Sequence, residues 1–334
     1  MISLRKFSVL TLALALPACV STTPLLEKST SALEEAVSSL EKFISENPLN
    51  FDINKVPTTI GPTLSPASLP KYVVGETFEF SDGRIDTVKA VNGERVVWTN
   101  KYGVDVQKYR NFIVPDLEWK SSQRSSSLDT DVIPTDLWPL SPEKISKRFH
   151  ALQEVTYNEG GRKPLTIDSD WQCRVNGTQI VSVPAGTFET FVVGCYRYRV
   201  NSSIKHQTRT FYYAPSLNHF VKRADEFQRG RPKTITLVSA GFASSVLGKN
   251  EEADLTRTLF KALNSQPDGQ PVTWVTENKK ISVKMTPETT YKNADGNICR
   301  RYESTYYYQG RVRSNQRTLC KISNGTWIRV FEGS

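Results

Sequence analysis

The sequence predicts a mainly β protein: an antiparallel sandwich or open-barrel body, a small C-terminal antiparallel β domain and an N-terminal amphipathic helix. From residue 71 onward, short runs of alternating apolar and polar residues are separated by turn residues, as in antiparallel strands. The 334 residues are 38% apolar and 23% charged, which is a globular balance and excludes wholesale disorder. No apolar run reaches the roughly 18 residues of a spanning helix, which excludes a polytopic helical membrane protein.

The N-terminus has the layout of an export signal. Residues 1–6 carry two positive charges, and the apolar run 7–16 is too short to span a bilayer but suits a signal peptide. The run ends in Leu16-Pro17-Ala18-Cys19, which resembles a bacterial lipobox. The resemblance implies removal of residues 1–18 and acylation of Cys19, for example with palmitate. Because Val20 and not Asp follows, we expect a lipoprotein anchored in the cell outer membrane, facing either the periplasm or the cell surface.

Residues 19–56 are predicted to form a lipid-anchored acidic helix with a net charge of −3. Leu26, Leu33 and Leu40 recur every seven residues and form an apolar stripe. Two interpretations stay open: self-association or partner binding through residues 24–47, or packing of the helix on its own domain. Residues 57–70 contain four prolines and predict an extended linker that holds the body away from the membrane.

Residues 71–250 are predicted to form the β-rich envelope domain. Asn92-Gly93 between the strand patterns 85–91 and 94–99 is the strongest short-range signal for a hairpin. Asn176-Gly177 predicts a second hairpin between 171–175 and 178–183. After a helical pattern at 254–264, strands return, so that residues 251–334 form a second, smaller β domain.

The last hairpin can be aligned by its turn. A two-residue turn at Gln309-Gly310 places Cys299 directly opposite Cys320. Counting from the turn, this is a non-hydrogen-bonded pair, where Cα atoms approach to about 4.5 Å. That separation permits a disulfide bond.

The same alignment predicts a ladder of tyrosine and arginine on one face, which we call the Tyr/Arg ladder: Tyr302 opposite Arg317, Tyr306 opposite Arg313 and Tyr308 opposite Arg311. Residues 269–334 carry a net charge of +6. One interpretation is a binding face for an anionic partner such as a lipid or glycan, with an envelope protein as the other class of partner. The other is a solvated face that only stabilises the hairpin. Nucleic acid is not an expected partner in this compartment.

Cys173 and Cys195 give conflicting indications. An oxidising compartment favours a disulfide between them. A simple meander with 178–183 as its middle strand would instead separate them by two strands, about 9.5 Å, which is beyond bridging distance. We favour the disulfide and therefore expect the meander to be wrong in detail.

The C-terminal region resembles the C-terminal domain of the rickettsial seventeen-kilodalton surface antigen family. The matching elements, in order, are Ala262-Leu263, Pro267, Gly269, Trp274, Thr286-Pro287, Thr290-Tyr291, Gly296, Cys299-Arg300, Gly310, Cys320, Gly325 and Trp327. The resemblance implies an outer-membrane lipoprotein with a small β domain and no known catalytic activity.

Motifs for metal binding, nucleophilic catalysis or phosphate-binding glycine loops are not found in the sequence. We therefore expect no cofactor and no enzymatic activity. The leading hypothesis is a structural or interaction component of the cell envelope. The alternative is a carrier with a lipid or glycolipid in an apolar cavity of the β body.

Overall fold

Twelve antiparallel strands close into a barrel in the computed structural model, which describes residues 51–158, 162–243 and 246–330. Each strand pairs with its neighbours in sequence, and β1 pairs with β12 to close the barrel. The strands are β1 Glu76–Phe80, β2 Ile85–Asn92, β3 Arg95–Asn100, β4 Asp105–Tyr109, β5 Glu118–Lys120, β6 Arg124–Thr130, β7 Phe149–Tyr157, β8 Leu165–Val183, β9 Gly186–Tyr198, β10 Lys205–Ala214, β11 His219–Phe227 and β12 Lys233–Phe242.

The mainly β prediction is confirmed. The sandwich alternative is wrong, and the barrel is closed where an open one was predicted. Phe78 of β1 lies opposite Ala240 of β12, so the first and last strands of the meander pair and leave no sheet edge. Most of the barrel interior is filled by a single cluster of buried apolar side chains. The predicted signal peptide and residues 19–50 of the predicted acidic helix 19–56, including 24–47, lie outside the described residues. Of the remaining six residues, only Ile53–Lys55 are helical, as a single 3₁₀ turn.

The two Asn-Gly pairs adopt different structures. The predicted hairpin joins β2 and β3, but its turn residues are Gly93 and Glu94, and Asn92 is paired with Arg95. Asn176-Gly177 does not end a strand, because β8 continues through it with a bulge between Val175 and Thr178. Gly177 has a φ of +121°, and a backbone bridge joins it to Thr59. The predicted second hairpin is therefore wrong, because a distant segment pairs with the Asn-Gly pair and holds it extended.

Continuation of β8 resolves the cysteine conflict. Cys173 lies directly opposite Cys195 on the neighbouring strand β9, and the two form a disulfide. The expectation that the meander would be wrong in detail is confirmed.

Residues 57–70 do not stand away from the body. Ala67 forms a bridge with Leu140 and is buried, and Thr178 Oγ1 donates to the carbonyl of Pro62 at 2.7 Å. The prediction of a free extended linker is wrong. The proline-rich segment is extended, but its backbone groups pair with the barrel.

A helix and a second sheet follow the barrel. The predicted helical pattern is confirmed as α1 Lys249–Ser265, and five strands then form a meander: β13 Val272–Val275, β14 Ile281–Lys292, β15 Ile298–Tyr308, β16 Arg311–Lys321 and β17 Trp327–Val330. Leu263 of α1 packs against Tyr302, Leu319 and Trp327 of the sheet. Within the described part of the chain, no helix is long and apolar enough to cross a membrane.

Candidate functional site

The predicted lipidation residue, Cys19, lies outside the described residues. The other four cysteines form two disulfides, Cys173–Cys195 in the barrel and Cys299–Cys320 in the sheet. All four are buried, and each bond joins directly opposed residues of neighbouring strands. Their role in the described structure is to cross-link strands.

The Tyr/Arg ladder has the predicted alignment, with all three Tyr–Arg pairs opposed between β15 and β16. The ladder faces inward, however. Tyr302 and Arg313 are buried, and Tyr306, Tyr308, Arg311 and Arg317 are half-buried. The prediction of a solvent-exposed binding face is wrong for Tyr302 and Arg313, because the helix covers the first and the barrel covers the second.

Arg313 connects the sheet to the barrel. Its guanidinium forms an ion pair with Glu76 of β1 and donates to the carbonyl of Leu217 at 2.9 Å. Two residues further along β16, Asn315 Oδ1 accepts from the backbone N–H of Ala240 at 2.7 Å. The Tyr/Arg ladder is therefore part of an intramolecular interface.

The barrel contains a cavity of about 320 Å³ at the interface of its apolar core with a group of charged side chains. Six aromatic residues form part of its wall: Tyr72, Trp98, Tyr109, Phe112, Phe211 and Phe220. This volume lies at the lower end of the range of small-molecule sites, about 300–1,000 Å³. The cavity is therefore large enough for a compact ligand.

Four cations and two carboxylates also line this cavity, which gives its wall a formal charge of +2: Arg84, Lys108, Arg209 and Arg223 against Asp86 and Asp116. Asp86 is shared, at 3.4 Å from Arg84 Nε and 3.7 Å from Lys108 Nζ. Lys108 Nζ also lies 3.4 Å from Asp116 Oδ1. These distances are long for ion pairs, so Arg84 and Lys108 are only loosely neutralised.

Asp225 contacts two of the arginines that line the cavity, Arg209 and Arg223, and is 3% exposed. It accepts from Arg209 Nε at 2.5 Å and from Gln207 Nε2 at 2.9 Å, and Arg223 Nε lies 2.9 Å from its other oxygen. Burial favours the protonated carboxyl, but the two guanidinium charges and the hydrogen bonds outweigh it and lower the pKa of Asp225. Burial and the like charge of Arg209 lower the pKa of Arg223 to about 10, so it stays charged at neutral pH.

Several buried nitrogens of this wall have no hydrogen-bond partner among the described residues. They are Trp98 Nε1, His219 Nε2, Arg84 Nε and Nη2, and Arg223 Nε. The Nε atoms of Arg84 and Arg223 nevertheless lie 3.4 Å and 2.9 Å from carboxylate oxygens. Trp98 and His219 are 3% and 5% exposed. Since a buried polar group without a partner costs about 1–3 kcal/mol, such atoms indicate a place where a ligand or water completes the hydrogen bonding.

His219 is held by its other ring nitrogen. Nδ1 shares a hydrogen bond of 2.9 Å with the hydroxyl of Tyr72, and the ring lies 4.1 Å from that of Phe78. Burial, followed by the positive charges of Lys108, Arg84 and Arg313, lowers the pKa of His219 well below its usual value. The imidazole is therefore neutral at physiological pH.

The alternation of residues in two strands contains a signal for this cavity that the sequence-based predictions do not use. Arg209 is two residues from Phe211, and Arg223 is two residues from Val221, so each shares a strand face with a buried apolar residue. A charged side chain on such a face points into the barrel and not into solvent. Among the described residues, no group of three or more His, Cys, Asp or Glu side chains could hold a metal ion.

Two solved structures show a distant likeness to this chain. The hypothetical lipoprotein YmcC from Escherichia coli is 8% identical and covers 49% of this chain and 82% of its own, with a TM-score of 0.34. An exported protein with a YmcC-like fold from Bacteroides fragilis is 12% identical and covers 52% of this chain and 99% of its own, with a TM-score of 0.32.

Residues 261–328 match the model of a protein family described as 17 kDa outer membrane surface antigen. The "17 kDa surface antigen" of Rickettsia prowazekii is 30% identical over 73 residues, which is 22% of this chain and 46% of that protein. That of Rickettsia bellii is 31% identical over 70 residues, 21% of this chain and 44% of that protein. The chain thus spans less than half the length of these relatives. The sequence similarity of residues 261–328 to the 17 kDa surface antigens confirms the resemblance predicted from their residues.

Proposed function

We propose that this chain is a non-enzymatic lipoprotein of a bacterial outer membrane, attached through acylated Cys19. The observation that carries the proposal is the C-terminal similarity to proteins named surface antigens, which lie in the outer membrane by the description of their family. The lipobox-like residues before Cys19 support it independently. The two disulfides are consistent with an exported protein.

Replacing Cys19 by serine tests whether an acyl group on this residue attaches the protein to the membrane. Wild-type protein should sediment with the outer membrane and incorporate labelled palmitate, whereas C19S should do neither. The double variant C299S/C320S is the matched control, because it removes two other sulfurs and should keep both the label and the location. Envelope sedimentation of C19S at the wild-type level would contradict the proposal.

Binding to an anionic envelope partner is also part of the proposal, but through other residues than the Tyr/Arg ladder. The C-terminal sheet has lysines that are exposed to solvent: Lys279, Lys280, Lys284 and Lys292. Replacing all four by glutamine should weaken sedimentation of the mature protein with vesicles that contain phosphatidylglycerol. A variant of buried Arg313 is not suitable for this test, since it would disturb the interface with the barrel.

A second candidate function is a carrier, and the cavity in the barrel favours it. The charged wall supports a small polar ligand in place of a lipid chain enclosed by apolar residues. Native mass spectrometry of protein extracted from membranes should show a bound small molecule that is lost on denaturation. A native mass equal to that of the acylated polypeptide alone, with no bound molecule, would count against the carrier function.

A further inference from the structure

We propose that the barrel cavity binds a phosphomonoester-class anion, held by Arg84, Lys108 and Arg223 with the indole N–H of Trp98. This inference rests on the carrier function and specifies the chemistry of its ligand. A ligand of this class carries up to two negative charges and three terminal oxygens that accept hydrogen bonds. The remaining volume, bounded by aromatic side chains, would take a small substituent on the phosphate.

The charge of the wall favours an anion. Arg209 is committed to Asp225 by a hydrogen bond of 2.5 Å. By contrast, Arg84 Nε and Nη2 donate no hydrogen bond to any described residue, and Nε lies 3.4 Å from a carboxylate oxygen of Asp86. The guanidinium of Arg84 therefore keeps hydrogen-bonding capacity for a bound anion, and a planar guanidinium matches the oxygens of phosphate. Arg223 Nε lies 2.9 Å from Asp225, so Arg223 contributes chiefly its positive charge.

The unpartnered donor atoms of the cavity also favour an anionic ligand. Trp98 Nε1 and Arg84 Nη2 are donors that cannot accept a hydrogen bond. Asp86 and Asp116, both within the described part of the chain, have no buried oxygen without a partner. His219 Nε2 donates or accepts depending on its tautomer, whereas the unpartnered nitrogens of Trp98 and Arg84 need acceptors. This excess of donors suits an oxygen-rich anion better than a cation or an amine.

A small adjoining cavity of about 80 Å³ extends the group of charged side chains without changing its net charge. It shares Arg209 and Gln153 with the larger cavity and is also lined by Arg197. Among the described residues, Arg197 has no carboxylate within ion-pair distance. With Arg197 and Asp225 included, the surroundings hold five cations and three carboxylates, so the net charge remains +2.

Calorimetric titration of the purified mature protein tests the inference, with inorganic phosphate as the probe at constant ionic strength. Wild type should bind one equivalent. R84Q and R223Q should each lose about 10- to 100-fold in affinity, since each removes charge-assisted hydrogen bonds. R95Q is the matched control, because Arg95 is exposed on the same barrel, and it should stay within about twofold of wild type.

A second measurement uses wild-type protein and does not depend on the folding of a variant. The chain has six tryptophans, so protein labelled with ¹⁵N-tryptophan gives six indole signals. Phosphate should shift the Trp98 signal, assigned through W98F, and leave Trp274 and Trp327 of the sheet unchanged. Shifts confined to the other tryptophans would overturn the inference.

Two further probes distinguish the source of the phosphate group. Tighter binding of glycerol 3-phosphate than of short-chain phosphatidic acid supports a free phosphate ester, and the reverse order supports a lipid headgroup. Binding of choline or glucose in place of all three phosphate probes would overturn the inference but leave the carrier function standing. If C19S stays in the envelope while phosphate binds, the lipoprotein proposal fails and this inference stands.

Discussion

Glu76 and Arg313 form an ion pair between residues 237 positions apart in the sequence, and their side chains are 0% and 2% exposed. Burial raises the pKa of Glu76, and the positive charge of Arg313 opposes that rise. The charge of each partner is therefore the main compensation for the free-energy cost of burying the charge of the other.

Removing one partner should be far more costly than removing both. We expect R313M to lower the free energy of unfolding by about 3–5 kcal/mol at neutral pH, because it leaves a buried carboxylate uncompensated. The double variant E76Q/R313M should recover most of this loss. Urea denaturation of the two variants and wild type measures the effect.

The stability loss of R313M should depend on pH in a direction that the pKa of Glu76 defines. Without Arg313, the folded-state pKa of Glu76 should rise further above its unfolded value. A raised pKa gives stability that is present below the unfolded pKa and lost as pH rises through the folded pKa. The deficit of R313M should therefore be smaller at pH 5 than at pH 8, and a deficit that grows on acidification would contradict this account.

Asp225 should show the opposite dependence. Its folded-state pKa is lowered from 3.8, because Arg209, Arg223 and the hydrogen bonds outweigh burial. Its stabilisation is then present above the unfolded pKa and lost as pH falls through the folded pKa. D225N should melt well below wild type at pH 7, and the difference should shrink below about pH 4. Thermal unfolding followed by circular dichroism at pH 7 and pH 3 checks this.

At the level of the strands, local sequence patterns predict the structure correctly where both partners are near in sequence. The alignment of Cys299 with Cys320 follows from one two-residue turn, and the hairpin at Asn92-Gly93 follows from its own residues. At Asn176-Gly177 the same dipeptide lies in a bulge, because the backbone of Thr59 pairs there. The sequence pattern does not contain that distant contact.

Burial of the Tyr/Arg ladder is unpredictable from its strands for the same reason. A face on which tyrosines of one strand lie opposite arginines of the next is predicted to be exposed to solvent as long as its cover is unknown. The cover includes β1 and α1, each remote in sequence. The charged cavity in turn depends on closure of the barrel through β1 and β12. Charged residues of separate hairpins face one another only once the barrel is closed.

The bulge in β8 gives a test of the segment that pairs with it. A Cβ on Gly177 would lie 1.9 Å from the carbonyl oxygen of Thr59, and its φ of +121° is unfavourable for any other residue. We expect G177A to destabilise the protein by about 2–4 kcal/mol through strain and overpacking. Urea denaturation measures the loss, and faster proteolysis within residues 57–62 should accompany it.

Gly93 provides the matched control for that substitution. It also has a positive φ, +60°, but no atom lies within 4 Å of the Cβ position. G93A should therefore cost only about 1 kcal/mol, from backbone strain alone. If G93A and G177A lower the free energy of unfolding by the same amount, the contact with Thr59 does not determine the cost of a substitution at Gly177.

At the scale of the whole molecule, the barrel and the C-terminal sheet share a polar interface. It includes the Glu76–Arg313 pair, the bond from Ala240 to Asn315, and a bond of 2.6 Å from Arg311 to the carbonyl of Lys71. If one part unfolded alone, buried charged groups of the other would lose their partners. We therefore expect the described part of the chain to unfold in one cooperative transition.

Fluorotryptophan labelling follows the unfolding of the barrel and that of the C-terminal sheet separately in a single experiment. Trp98, Trp119, Trp138 and Trp171 report on the barrel or its connections, and Trp274 and Trp327 report on the sheet. In wild type, all six ¹⁹F signals should be lost at the same urea concentration. In R313M the sheet signals should be lost first, whereas V312A, on the exposed face of the same strand, should keep the midpoints coincident. Separate midpoints in wild type would show that the interface does not couple the two parts, because a coupling of several kcal/mol forces them to unfold together.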